Sequence, residues 1–270
     1  MQRSLLGGGR IKSATPPKSQ QRAFEKIMAY MIEQIAQRYR TQAIGALNQA
    51  DVSKFSDAAK PGNYAAVWLR LTSQANRKLR RQFDDDRLGR VIRQILEQTN
   101  KTNSQALYAA IEKKIGISAK ELLASEGLQT QLNALILETT QWAAKLRDDT
   151  LEHFTATTLR AMALGESLED IQSRFEEEVG KRKDHAKFVA RTQIANYNSL
   201  ATKIRAQNLG IERAVWVTSQ DERVRTCHIA RNGKEFDLAE GLYSSCDGKT
   251  ILPGVDYQCR CTYDLIIPEE

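Results

Sequence analysis

The spacing of apolar residues changes at Gly210, and this change limits the folds open to the chain more than any other feature. Upstream, apolar side chains return every three or four positions, which keeps them on one face of a helix. Downstream, β-branched and aromatic residues occur in short runs bounded by turn residues, as they do in strands. Such a chain has to combine a long helical part with a small part that mixes strand and helix.

The helical period begins near Ser19, after Pro16-Pro17, with Phe24, Ile27, Met31 and Ile35 on one face, and is expected to run to about Gln49. Lys60-Pro61-Gly62-Asn63 marks a break. Further helices are expected from Tyr64, from Leu88 to Gln98, over 103–114 and over 118–125, the last opened by Ser118 and Glu121 as a capping-box pair. Asp84-Asp85-Asp86 opens one helix, and Arg77, Lys78, Arg80 and Arg81 close the one before it. Both charge sets oppose the helix dipole, so a metal role for the aspartates is not needed to explain them. Leu128, Leu132, Leu135, Thr139, Trp142 and Leu146 then form a heptad-like seam that ends at Gly165. A helix from Ser167 is expected to stop at Gly180, and a last one to cover Lys181 to Asn208.

Beyond Gly210, Val215-Trp216-Val217 reads as a short strand, Asn232-Gly233 as a hairpin turn and Cys261 to Ile267 as a final strand. The expected class is mainly α: an elongated helical body of long antiparallel helices, followed by a small α+β C-terminal module with a short antiparallel sheet. The expected division is a flexible basic arm over 1–18, a helical body over 19–180 and the module over 181–270.

All four cysteines fall in that module: Cys227, Cys246, Cys259 and Cys261. Three states fit them. One is a structural zinc held by Cys227, Cys259 and Cys261, with Cys246 or His228 as fourth ligand. Another is a disulfide from Cys227 to Cys259 or Cys261. The third is buried free thiols. Catalytic signals are weak. The chain has 3 histidines, and neither His153 nor His185 has a second histidine at ligand spacing. No Gly-rich phosphate loop, G-x-S-x-G or H-E-x-x-H occurs. Asp221 follows a strand, where aspartate is favoured in a turn. No enzymatic activity is expected.

The formal net charge is +7. Most of it lies in residues 1–40, where Arg3, Arg10, Lys12, Lys18, Arg22, Lys26, Arg38 and Arg40 face only Glu25 and Glu33. Arg3, Arg10 and Lys12 in the arm, the Arg77, Lys78, Arg80, Arg81 cluster and Lys181-Arg182-Lys183 are the candidate contacts to nucleic acid or an acidic partner. Aromatic residues are not interleaved with them, so such contact would be to phosphates and sensitive to salt. No apolar run approaches the ~18 residues of a membrane span, and no signal peptide is recognisable at Met1. No membrane partner is expected.

Arg191, Thr192, Asn198, Gly210, Trp216, Asp221, Arg223, Thr226, Cys227 and Cys259-Arg260-Cys261 occur in an order that resembles the C-terminal part of the phage Mu F-like head morphogenesis family, the minor head proteins of tailed phages. The resemblance covers roughly the last 80 residues. Gln193 stands where the family usually has Glu, Ala230 where it often has a second cysteine, and Asp256-Tyr257-Gln258 where His-Pro is common. Nine residues follow Cys261, and no fused enzyme of the kind some relatives carry is expected. The resemblance implies a structural minor head protein that is made in the host cytoplasm and acts in capsid morphogenesis. It would lie near the portal inside the head of the virion, in an oligomeric arrangement around it. The implied partners are portal protein or major capsid protein, scaffold protein and packaged double-stranded DNA. The competing expectation is a cytoplasmic DNA-binding or metal-dependent DNA-processing protein.

Overall fold

The computed structural model describes residues 9–45, 61–116, 118, 128–246 and 248–268, with the side chains of 43 and 61–67 left aside. Arg3 and nearly all of the expected 118–125 helix lie outside the described residues. The elements are β1 (Gly9–Lys12), α1 (Lys18–Tyr39), a π-helical turn (Arg40–Ile44), α2 (Pro61–Gln82), α3 (Asp85–Ile115), α4 (Gln129–Ala163) and α5 (Leu168–Asn208). They continue with β2 (Arg213–Val217), α6 (Thr226–Ile229), β3 (Glu235–Asp237), β4 (Leu242–Ser244), β5 (Lys249–Ile251) and β6 (Thr262–Ile267). The fold is mainly α, with small antiparallel sheets in the C-terminal region.

The chain divides into two compact units. One comprises Met1–Ala23, Ile92–Glu138 and Ala190–Glu270; the other comprises Phe24–Val91 and Thr139–Val189. This differs from the expected division at 18/19 and 180/181. The reason is that α1, α3, α4 and α5 each run without interruption past a boundary between the units.

The first unit is built on a four-stranded sheet in the order β1-β6-β2-β3, with a two-stranded β4-β5 sheet beside it in sequence. Alternation along β6 buries Tyr263, Leu265 and Ile267 and leaves the intervening residues partly exposed. These three meet Leu107, Tyr108 and Ile111 of α3, together with Ala206, Trp216 and Phe236, in one core. A buried polar network ties α3 to α5. Asn103 Nδ2 lies 3.0 Å from Asn198 Oδ1 and 2.7 Å from Thr202 Oγ1, and Arg205 donates to Asn103 Oδ1 at 2.6 Å and to Asn100 Oδ1 at 2.6 Å. Asn198 Nδ2 then donates to the Ala14 carbonyl at 2.6 Å, which anchors the chain just after β1.

The second unit packs around Tyr39. Its ring stacks on Phe175 at 6.1 Å and meets the edges of Phe154 at 5.6 Å and Trp68 at 6.2 Å. Its hydroxyl lies within hydrogen-bond reach of Asn76 Oδ1, the Leu151 carbonyl and Thr155 Oγ1. Burial raises the Tyr39 pKa above its ordinary value. Arg147 is buried, and its guanidinium joins the Phe83 carbonyl, Asp85 and Asp148. Asp84 accepts from the Arg87 N–H at 2.8 Å, so the aspartate run does cap a helix.

Several expectations are corrected. The lead before residue 18 is not free: Arg10 faces Ile266 and Ile11 faces Leu265 across the β1–β6 ladder, and Ile11 is buried. Residues 88–98 and 103–114 belong to one helix, because Thr99, Asn103 and Ser104 are all accommodated as buried polar groups. Gly180 does not end a helix. It is exposed inside α5, where Val179 before it and Ala186 after it are buried, and this packing outweighs the ~1 kcal/mol that glycine costs. Asn232-Gly233 does not make a two-residue hairpin. α6 lies between the paired strands β2 and β3, and Asn232 Oδ1 accepts from the Thr218 N–H at 3.0 Å. Gly210 does end α5, at φ +75°, with the Ile211 N–H reaching back to the Ala206 carbonyl at 2.9 Å.

Candidate functional site

The first unit contains a cleft of about 690 Å³ between the segment after β1, the middle of α5, the β2–α6 loop and the approach to β6. Thr15 to Lys18 and Gln21 form one wall. Arg191 and Ala195 of α5 form another. Arg223, Val224, Arg225 and His228 come from the β2–α6 loop and α6, and Tyr257 to Thr262 complete the lining.

The motif residues mostly build this region rather than project into it. Thr192 is buried and accepts from the Gln258 N–H at 3.2 Å. This bond steadies Gln258, whose φ of +50° is rare for a residue with a side chain. Asn198 is the buried anchor of the Ala14 carbonyl. Trp216 is fully buried, with the Arg231 guanidinium 4.9 Å from its ring centre and the His228 ring 5.4 Å away at 78°. Asp221 accepts from the Arg223 N–H at 2.9 Å, which closes its own turn, and from Arg260 Nη2 at 2.6 Å. Arg191 and the Arg223 side chain are exposed on the cleft wall.

The four cysteines do not converge as one set. Cys227 is joined to Cys246 in a disulfide, while Cys259 and Cys261 are free and buried. This corrects both the four-ligand zinc arrangement and the pairing of Cys227 with Cys259 or Cys261. The adjacent residues Cys227 and His228 go separate ways, as neighbours on a single turn of helix must. Cys227 reaches Cys246, and His228 turns inward to the other two thiols. His228 Nδ1 lies 3.5 Å from Cys259 Sγ and 3.6 Å from Cys261 Sγ. Its Nε2 has no hydrogen-bond partner among the described residues and faces Asp256 Oδ2 at 3.7 Å. Asp256 is buried and pairs with Arg225, which also donates to the Tyr257 carbonyl at 2.9 Å.

The sulfurs differ in charge preference. The Cys261 thiol, then His228 and the Gly254 N–H, hydrogen-bond to Cys259 and pull it down to about 4 against the opposing effect of burial. Cys261 is held well above the usual thiol range by that same bond to Cys259 and by burial. Gly254 is needed where it lies: its φ is +83°, and an added Cβ would stand 3.4 Å from the Cys261 carbonyl and from Ser199 Cβ.

The expected nucleic-acid contacts fall into two groups. Lys181 pairs with Glu177, Arg182 with Glu178 and Lys183 with Glu33, so that basic run is largely neutralised. Arg80 pairs with Asp148. Arg77, Lys78 and Arg81 are exposed. Arg10 and Lys12 lie on β1, Arg10 at 3.9 Å from Glu235. Among the described residues, no helix is long and apolar enough to cross a membrane.

The arrangement of Thr192, Asn198, Trp216 and Asp221 around one module coincides with a family match. Residues 152–264 match the family described as Phage Mu protein F like protein. Over these residues the chain resembles that family. The Mu F-like family is a phage head family. An uncharacterized protein of Haemophilus influenzae is 24% identical over 217 residues, which cover 80% of this chain and 47% of that protein. The chain thus spans about half the length of the curated relative it matches. No solved structure matches. Within the matched segment, Asp256 and the cleft residues Arg225 and Gln258 have no distinctive spacing. Only their contacts with Cys259, Tyr257 and Thr192 reveal them.

Proposed function

We propose that this chain is a structural minor head protein of a tailed bacteriophage, acting in head morphogenesis near the portal and inside the head. It works by binding rather than by catalysis. The observation that carries this reading is the Mu F-like match over residues 152–264. The geometry is consistent with it, because the motif residues serve as struts. Thr192 supports the Gln258 backbone, Asn198 the chain after β1, and Asp221 joins its own turn to Arg260. Among the described residues, exposed cations such as Arg77, Lys78, Arg81, Arg191 and Arg223 are available to packaged DNA or an acidic partner surface.

Quantitative proteomics of purified particles and precursor heads tests the proposal. The expected result is this chain at a few copies per head, cross-linking to portal or major capsid protein. Its absence from both kinds of particle would overturn the reading.

A further inference from the structure

At the base of the cleft, two sulfurs and one ring nitrogen come together from separate parts of the chain. Cys259 Sγ, Cys261 Sγ and His228 Nδ1 all lie within 4.8 Å of one another, and all three residues are buried. Cys259 and Cys261 are two apart and both buried, while Arg260 between them is exposed, so the side chains alternate there. His228 arrives from α6, which the Cys227–Cys246 disulfide holds in place.

The separations are informative. With zinc–sulfur bonds of ~2.3 Å and zinc–nitrogen bonds of ~2.05 Å, a tetrahedral angle puts sulfur and nitrogen about 3.6 Å apart. The two observed separations are 3.5 and 3.6 Å. The other side of the ring fits as well. Nε2, otherwise unpartnered, faces the Asp256 carboxylate at 3.7 Å, and Arg225 holds that carboxylate. A carboxylate behind a histidine fixes the ring and leaves the far nitrogen's lone pair for a metal.

The geometry points to a mononuclear zinc site in which Cys259, Cys261 and His228 are the ligands, Asp256 orients His228, and the fourth position opens to the cleft. The cleft side is where the fourth ligand enters, because all three ligand residues line it. A water or a donor from a bound partner would complete the tetrahedron. Binding takes both sulfurs as thiolates, any proton they still carry leaves to solvent, and no redox change is involved. The assignment differs from any four-cysteine arrangement, since Cys227 and Cys246 are bonded to each other.

The full chain, purified anaerobically, is titrated with Co(II) and separately with Zn(II). One ion per chain is expected, with a thiolate-to-cobalt charge-transfer band that zinc displaces. Cys261→Ser should abolish the band, and Asp256→Asn should weaken binding about 10–100-fold. A Cys227→Ser/Cys246→Ser double variant should keep it. If a substituted chain does not fold, alkylation of the wild-type chain decides: zinc should protect Cys259 and Cys261, as read by peptide mass spectrometry. The proposal is overturned by a folded wild-type chain that shows no charge-transfer band, or by alkylation that zinc leaves unchanged. It is also overturned by a band that survives Cys261→Ser but is lost in the double variant.

Discussion

Asn198 is a single side chain that satisfies two distant parts of the first unit, through Ala14 and Asn103. Replacing it with alanine leaves the buried Ala14 carbonyl and the Asn103 amide short of partners, which should cost about 1–3 kcal/mol in chemical denaturation. An unchanged midpoint would show that water replaces the amide. At Glu33, the hydrogen bond from Lys183, then that from Arg40, hold the carboxyl below its ordinary value of 4.5. A depressed carboxylate contributes stability that is complete above that ordinary value and is lost as pH falls through the lowered one. Glu33 is 39% exposed, so the contribution is discounted to about 0.2–1 kcal/mol. Glu33→Gln should therefore lower stability at neutral pH and flatten the decline below pH ~4.5. An equal loss at pH 3 and pH 7 would contradict the assignment.

The elements show what the sequence made legible and what it did not. Seam residues such as Leu132, Leu146, Ile194 and Tyr197 are buried as their spacing implied, because a 3–4 period has one physical reading over many turns. Gly180 was misleading because local propensity is weak beside the packing of its neighbours in α5. Gly180→Ala should therefore stabilise the fold by roughly 0.5–1 kcal/mol, since the site is exposed and an added Cβ meets nothing within 4 Å. A loss of stability on thermal melting would point to an unseen constraint there. β1 was not legible because four residues with one buried side chain carry no period. The sequence offered His228, Cys259 and Cys261 together only with Cys227 beside them, and it did not show that Cys227 leaves the set for Cys246. His228 lies 31 and 33 residues from the two thiols in sequence, and the three fit no ligand motif. The Cys227–Cys246 bridge closes a loop with a sequence separation of 19, and reducing it should cost on the order of 3 kcal/mol. A midpoint indifferent to reductant would argue against a stabilising bridge.

For the molecule as a whole, local runs of Lys and Arg overstated the basic surface. The Lys181-Arg182-Lys183 run looks basic in sequence, yet each of its cations is engaged by a carboxylate. Binding to duplex DNA should accordingly be weak and steeply lost with salt. Arg77→Ala/Lys78→Ala/Arg81→Ala should reduce the salt slope, whereas Lys181→Ala should hardly alter it. Sub-micromolar binding that persists at physiological salt, or cleavage in the presence of a divalent ion, would favour the DNA-processing alternative.

Strand β1 places Gly9 opposite Ile267. A growing chain makes Gly9 258 residues before Ile267. At ~5–20 residues per second, β1 waits tens of seconds for its neighbour. The sheet therefore closes only after β6 has emerged, and closing so long a loop is slow. Until then the Asn198 amide lacks Ala14, and the sheet edge that β1 will cover stays open to other chains. Maturation of this module is thus timed by synthesis of its last strand, and crowding of nascent chains is the hazard it has to outlast.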